Sequence, residues 1–413
     1  MASKRTPLFW FFDSNSAQNQ NYIRDLDNLK KGSEVDLLVV SGHDGIQFEY
    51  PEIFHDMLSD IVRHAHSIGM QIALHLIPST GFFNASTMGG SIAAIDQVQL
   101  FPISAPNKAS AIVSDYEMQL DEFGKATFTH HSKWARKKIA PIYCKVVRAY
   151  AFVKTADGFY HEDSLCDVTD SVTVINNRTD SLIAEIHAGS ENAGKNLFVM
   201  VAQYYNYTQL FGNSQYHFFR TVLDQYADIP LDGVALDEFG YLYLDTSGPD
   251  LPFRGRLYSS GMYEYYRNRL HIDLNRILFD MRYAPSGKPE IRIVAINRYF
   301  SELRKAPVRN EKLIFNYAKK LFGENIYLGT HATFHNQLDS DEVWHTGCDW
   351  WDVPTGVGHT DENIEYPVRM GIMLSRKQPV LYDMFYSKNP DDYYNHIAEG
   401  APFGCREFHH ALN

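Results

Sequence analysis

The sequence predicts an α/β chain: a (β/α)8 TIM barrel with a small antiparallel β domain inserted after strand 3. Three observations predict it. Short apolar runs with strand character alternate with longer amphipathic stretches. The short runs number eight, and strands separated by helical patterns imply parallel neighbours that close into a barrel more readily than they form an open sheet. One connection, from about residue 79 to about residue 212, lacks the next barrel helix, although βα loops are ordinarily a few residues long.

The strand patterns, in order, are "LFWFFDS" (8–14), "VDLLVVSG" (35–42), "MQIALHLIP" (70–78), "DGVALDEF" (232–239), "IRIVAINR" (291–298), "NIYLGTH" (325–331), "CDWWDV" (348–353) and "PVLYDMFYS" (379–387). Between most of them lie helix patterns. These are "QNYIRDLDNLKK", "EIFHDMLSDIVRHAHSIG", "YHFFRTVLDQYA", "YSSGMYEYYRNRLHIDLNRILFDMRY", "NEKLIFNYAKKLFG", "EYPVRMGIMLSR" and "PDDYYNHIAEG". Gly69 and Gly323 fall where helix C-caps are expected. The last stretch, "REFHHALN", is expected inside or just after the eighth helix.

Within the long connection, "CKVVRAYAFVKTADGFY", "SVTVINNRTDSLIAEIHA" and "KNLFVMVAQYYNY" are β-branched and partly alternating, with turn signals between them. The expected division is therefore barrel strands 1 to 3 over 1–79, a mobile lip over 80–136, the inserted β domain over 137–207, and strands 4 to 8 over 208–413.

Composition narrows the function. A net charge of −12 gives no electrostatic case for nucleic acid or an anionic membrane as partner. No apolar run approaches the roughly 20 residues that cross a bilayer. The opening "MASKRTPLFWFFDS" reaches an acid too soon for a secretory signal, so a cytoplasmic location is expected. Cys144, Cys166, Cys348 and Cys405 have no CxxC spacing, and reduced thiols with no cofactor and no metal are expected. The sequons at Asn84, Asn177 and Asn206 are then incidental. Aromatic residues reach 14%, enough to supply both a core and flat platforms for ligand faces. Oligomeric state is not legible.

In a (β/α)8 enzyme the reacting groups project from the carboxyl ends of the strands, because the interior is packed solid. The polar residues at those ends are Asp13, His43 and Asp44, His75, Asp237 and Glu238, Asn297 and Arg298, His331 and His335, Asp349 and Asp352, and Asp383. Nearly every strand end carries a group able to ionise, ligate or hydrogen-bond. Such groups are costly at a barrel mouth unless a ligand or a network uses them. Trp350 and Trp351 sit between two aspartates, with Gly356 and Gly358 giving a loop that approaches a ligand closely. A mouth with several carboxylates and aromatic platforms suits a carbohydrate substrate. Glycosidic hydrolysis commonly uses two carboxyl groups across the scissile bond, and strands four and seven supply Glu238, Asp237, Asp349 and Asp352 as the catalytic candidates. Alternation along strand four puts Val234, Leu236 and Glu238 on one side and Ala235 and Asp237 on the other. Glu238 is favoured as the proton donor, with Asp237 beside it or as nucleophile.

"GVALDEFG" resembles the strand-four ending that many (β/α)8 glycoside hydrolases use for a catalytic acid. "IYLGTHATFHN" followed by "GCDWWDVPTGVGHTDE" is similar in order to the strand-six and strand-seven region of bacterial α-L-rhamnosidase-like enzymes. That resemblance implies a glycoside hydrolase with Glu238 as acid/base. The chain departs from the pattern in lacking a proline after the acid and a strand-six glutamate. Two other readings compete. In one, His75, His331 and a mouth aspartate hold a divalent metal for amide or ester hydrolysis, although the strand-one HxH of amidohydrolase barrels is absent. In the other, the barrel is a non-catalytic carbohydrate-binding module.

Overall fold

The computed structural model describes residues 7–12, 21–42, 51–76, 109–131, 141–179, 181–236, 256–331, 357–361, 380–383 and 407–409, with 395 and 398. Its first half opens as strand, helix, strand, helix, strand: β1 (Pro7–Phe12), α1 (Tyr22–Gly32), β2 (Leu37–Gly42), α2 (Pro51–Ser67) and β3 (Gln71–Leu76). Gly69 ends α2 as expected: its φ is +74°, and Met70 N donates to Ala65 O at 2.9 Å across the turn. A residue without Cβ adopts that conformation at no steric cost.

Seven antiparallel strands follow: β4 (Ala109–Gln119), β5 (Lys125–His131), β6 (Pro141–Phe152), β7 (Cys166–Asp167), β8 (Val172–Asn177), β9 (Ser181–His187) and β10 (Asn196–Thr208). β4 and β5 fall inside the stretch expected as a lip. After α3 (Ser214–Gln225) the chain returns to strand β11 (Gly233–Leu236). It then adds β12 (Arg256–Tyr258), the short helix α4 (Ser260–Tyr265) continued by a π turn, α5 (Leu274–Asp280) and the 33-residue helix α6 (Glu290–Phe322). Four strands close the order: β13 (Tyr327–His331), β14 (Val357–Asp361), β15 (Val380–Asp383) and β16 (Glu407–His409).

These strands form three sheets. The largest has eight strands in the order β1-β2-β3-β11-β13-β14-β15-β16, every pairing parallel. A five-stranded sheet (β12-β4-β10-β6-β7) and a three-stranded sheet (β5-β9-β8) are antiparallel. Alternation along β10 explains their packing: Leu197, Val199 and Val201 meet Phe128, Leu182 and Ile186 of the small sheet. Phe198, Met200 and Ala202 turn to the other face, against Phe279, Tyr299 and Leu303 of α5 and α6.

Several expectations need correction. The segment 291–298, expected as strand five, is the first third of α6. Buried positions Ala295, Tyr299, Leu303, Ala306, Asn310, Ile314 and Ala318 recur every three or four residues, which is the helical period. The local run of Ile and Val mimicked a strand, yet Ile293 and Val294 face solvent. Asn297 and Arg298 are therefore exposed on a helix and not at a strand end. The eighth parallel strand is supplied by Glu407–His409, where the eighth helix or its end was expected. The helix expected across 258–283 is also divided, at His271 with φ +57°. The expected strand 348–353 lies outside the described residues, and the seventh segment's described strand is 357–361, placing Gly358 in a ladder and not in a loop. Among the described residues no helix is long and apolar enough to cross a membrane.

Candidate functional site at the carboxyl edge of the parallel sheet

The eight-stranded sheet has two distinct faces. Leu38, Val40, Ile72, Leu74, Leu76, Val234 and Leu236 pack against the helices, meeting Leu26 of α1, Leu58 of α2, Val222 of α3 and Phe315 of α6. The alternate positions Leu37, Val39, Ala73, Ala235 and Tyr327 form a separate apolar cluster on the opposite face. A parallel sheet with apolar side chains buried on both faces accounts for its near-continuous apolar strands.

At the amino edge, Asp232 ties the strands together. Its carboxylate accepts from Ile72 N at 2.9 Å, Gln71 Nε2 at 3.2 Å and His66 Nε2 at 2.7 Å. Its backbone exchanges bonds with Ile72 O and Tyr327 N at 2.8 Å each. This end is structural.

The carboxyl end is different. The face that carries Leu37 and Val39 continues to Ser41, and the face of Ala73 continues to His75. Ser41 pairs with His75, and His75 with Ala235, in one register row. Both polar residues are almost fully buried, 1% and 2% exposed. Ser41 Oγ finds no hydrogen-bond partner among the described residues. A buried hydroxyl of that kind costs roughly 1–3 kcal/mol, so it marks a place where a donor or acceptor is wanted. His75, expected at a barrel mouth, lies one residue from the carboxyl end of β3. Ser41 was not singled out, though the alternation Leu37, Val39, Ser41 carries the signal.

Further along the sheet the register aligns more polar positions. His331 ends β13 opposite His359 of β14. One step beyond, Asp361, Asp383 and His409 occupy a single level on the three neighbouring strands β14, β15 and β16. Of these only His331 and Asp383 were expected. His359 and Asp361 were hidden because "GVGHTDE" reads as a glycine-rich loop, and His409 because the chain end reads as helix. Asp13, His43, Asp44, Asp237, Glu238, His335, Asp349, Trp350, Trp351 and Asp352 lie outside the described residues. Among the described residues no group of three or more His, Cys, Asp or Glu could hold a metal ion.

Parallel strands that share one register present their carboxyl ends at one edge, and that edge is where open or closed α/β folds place their chemistry. The arrangement defines the class as an α/β protein with a polar carboxyl edge over an apolar interior. No family model matches the chain, and no curated protein matches it. Among solved structures, morphinone reductase in complex with tetrahydroNAD is similar at 10% identity, over 99% of this chain and 81% of that one, with a TM-score of 0.39. A point mutant of the same reductase gives 9% identity, 98% and 81% coverage and a TM-score of 0.40. A family GH13_31 enzyme is similar at 10% identity over 97% of this chain and 71% of that one, with a TM-score of 0.30.

The glycoside hydrolase expectation is corrected by these findings, whose first matches are reductase structures. The glycoside hydrolase among the matches stands below the reductase structures, and the rhamnosidase-like resemblance gains no support from them. The carboxylate pair that the hydrolytic reading required has no geometry among the described residues.

Proposed function

We propose that the chain is an enzyme on a (β/α)8 barrel, with its antiparallel sheets inserted after the third parallel strand, and that it performs proton-transfer chemistry on a small molecule at the carboxyl rim. The observation that carries this reading is the buried Ser41–His75 row at the carboxyl end of β2 and β3. A buried Ser41 hydroxyl with no partner among the described residues is costly for packing alone, and buried His75 stands beside it in register. Histidine is the side chain most often used to move protons near neutral pH. Closure of the sheet is supported by the approach of β1 to β16, its two outermost strands. The proposed insertion takes in β4 to β10 together with β12, which pairs with β4.

Asp383, aligned in register with Asp361 and His409, is the second candidate beside His75.

The test is a reaction panel on small carbonyl and hydroxy compounds, covering isomerisation, dehydration, aldol cleavage and nicotinamide-dependent reduction. Wild type is compared with His75→Gln, Ser41→Ala and Asp383→Asn. An activity that falls by about 10²-fold or more in His75→Gln, with the fold intact by circular dichroism, supports the reading. Full activity in both His75→Gln and Asp383→Asn would defeat it.

A further inference from the structure

The three-stranded sheet packs on the five-stranded sheet through a buried apolar layer, and one residue in that layer can take a charge. Alternation along β5 turns Phe128 inward, and His130, two residues on, follows it to the same face, opposite Leu182 in register. His130 is fully buried. Its Nδ1 meets the Tyr116 hydroxyl of β4 at 2.6 Å, and its Nε2 has no hydrogen-bond partner among the described residues. Burial pushes the Tyr116 phenol up to about 12, so the hydroxyl keeps its proton and donates it to Nδ1. The contact therefore selects the neutral imidazole.

The layer offers that ring no counter-charge. It presents Leu182 and Ala184 from β9, Cys144 from β6 and Val172 from β8, with Gln203 in phase with Val199 and Val201 on β10. Cys144 and Gln203 are fully buried. Tyr116 and Cys144 are the other titratable groups on these inward faces, and neither is a carboxylic acid. Asp115, Lys145, Glu185 and His131 stand one residue out of phase, on the opposite faces of β4, β6, β9 and β5. Val172–Asn177 of β8 contains no charged residue. Burial lowers the imidazole to about 4, with Gln203 pulling the other way and His131 adding to the depression. An imidazolium formed here is a buried charge with no partner, a state that protein interiors hold only at high cost.

We infer that the packing of the three-stranded sheet on the five-stranded sheet is an acid-sensitive joint, released when His130 takes a proton. Parting the two sheets lets water reach the imidazolium and exposes Phe128, Leu182, Val199 and Cys144, while the ladders within each sheet stay intact. The folded value of about 4 lies below the roughly 6.5 of an exposed histidine. The joint is therefore closed above about pH 6.5 and loses stability as pH falls toward about 4. Between pH 7 and pH 5 these two values raise the open fraction by about 20-fold. The device is independent of the chemistry proposed at the rim.

Cys144 reports the opening, because its thiol is fully buried in the layer and meets Thr179 O at 3.8 Å. The full chain is labelled with dithiodipyridine, a reagent that attacks thiols in acid as well as at neutral pH, and the Cys144 and Cys166 peptides are followed by mass spectrometry. Each rate is divided by that of the urea-unfolded chain at the same pH. Cys144 labelling is expected to rise about 20-fold from pH 7 to pH 5 with the far-UV circular dichroism unchanged, while half-buried Cys166 changes by less than about threefold. His130→Gln keeps an acceptor for Tyr116 and cannot titrate, and is expected to hold the Cys144 rise below about threefold. A wild-type Cys144 rate that stays level, or that rises only as the far-UV signal is lost, overturns the inference without any variant. So does a folded His130→Gln protein that shows the wild-type rise.

Discussion

Gly233 opens β11 at the centre of the parallel sheet, and adding one methyl group there tests the packing that supports the rim. A Cβ at this position would lie 2.6 Å from both Cβ and O of Tyr327 on β13, and 2.9 Å from Cβ of Ala73 on β3. None of these atoms is the end of a flexible side chain, so no rotamer change relieves the contact. The strands on both sides must part by several tenths of an ångström. They are tied to β11 by continuous ladders, and their interior contacts, Tyr327 and Ala73 against Ala235, would open with them. Overpacking of this kind costs roughly 1–3 kcal/mol, and parting the ladders takes Gly233→Ala to the upper end. For a chain of this size that is a fall in Tm of several degrees. Gly32 is the control, since a Cβ there meets nothing within 4 Å. Gly32→Ala is expected to be neutral or to gain a few tenths of a kcal/mol through the unfolded chain. Thermal and urea unfolding of both variants measure the difference. A Gly233→Ala protein as stable as wild type would refute the claim that β3, β11 and β13 meet without slack.

Other expectations follow from single contacts. Asp232→Ala strands Ile72 N and removes the acceptor of His66 and Gln71; it is expected to cost about 1–3 kcal/mol in urea unfolding, whereas Asp232→Asn, which keeps one acceptor, costs less. Asn310 of α6 donates to Leu210 O at 2.9 Å and Gln215 Oε1 at 2.8 Å, so Asn310→Leu leaves two buried acceptors empty and is expected to lower stability by a similar amount, read as a shift in urea midpoint. Burial raises Asp280 to about 6, against the opposing pull of Arg276. Between about pH 4 and pH 6 the folded protein then holds a proton that the unfolded chain has released. Stability should therefore fall as pH rises through that window and level off above it, and Asp280→Asn should remove that part of the slope in unfolding titrations. A slope unchanged by the substitution would show that Asp280 ionises normally.

Much of the parallel sheet was legible because its strands are short apolar runs bounded by turns. Four antiparallel strands, β6, β8, β9 and β10, were visible in outline through β-branched alternation, yet β4 and β5 escaped. "ASAIVSDYEMQ" and "KATFTHH" carry polar residues on their outer positions and resemble loop composition. Strand five failed for a different reason. A window of eight residues cannot separate a strand from one side of a helix when the apolar positions include exposed ones such as Ile293 and Val294. The helix pattern "NEKLIFNYAKKLFG" covered only the last part of Glu290–Phe322. The strand-end positions of His75 and Asp383 were legible because a polar residue ends an apolar run. Ser41 was missed because serine before glycine reads as turn chemistry, and the Asp361–Asp383–His409 level was missed because register between distant strands is not written in any one of them.

The long helix α6 changes what an inserted domain means here. Ala295, Tyr299 and Leu303 in its first half belong to the core beneath the five-stranded sheet. Ile314, Phe315 and Ala318 in its second half belong to the core outside the parallel sheet. A 33-residue helix spans about 50 Å, and no linker divides these two halves. Asn310, bound to Leu210 and Gln215, adds a polar clasp between α6 and the return from β10 into α3. The antiparallel sheets are thus braced against the parallel sheet by shared secondary structure rather than hung from a loop. α5 also packs directly on α6. The physical route from the five-stranded sheet to the parallel sheet therefore runs through one continuous helix, whereas the sequence order alone would place the two on separate modules.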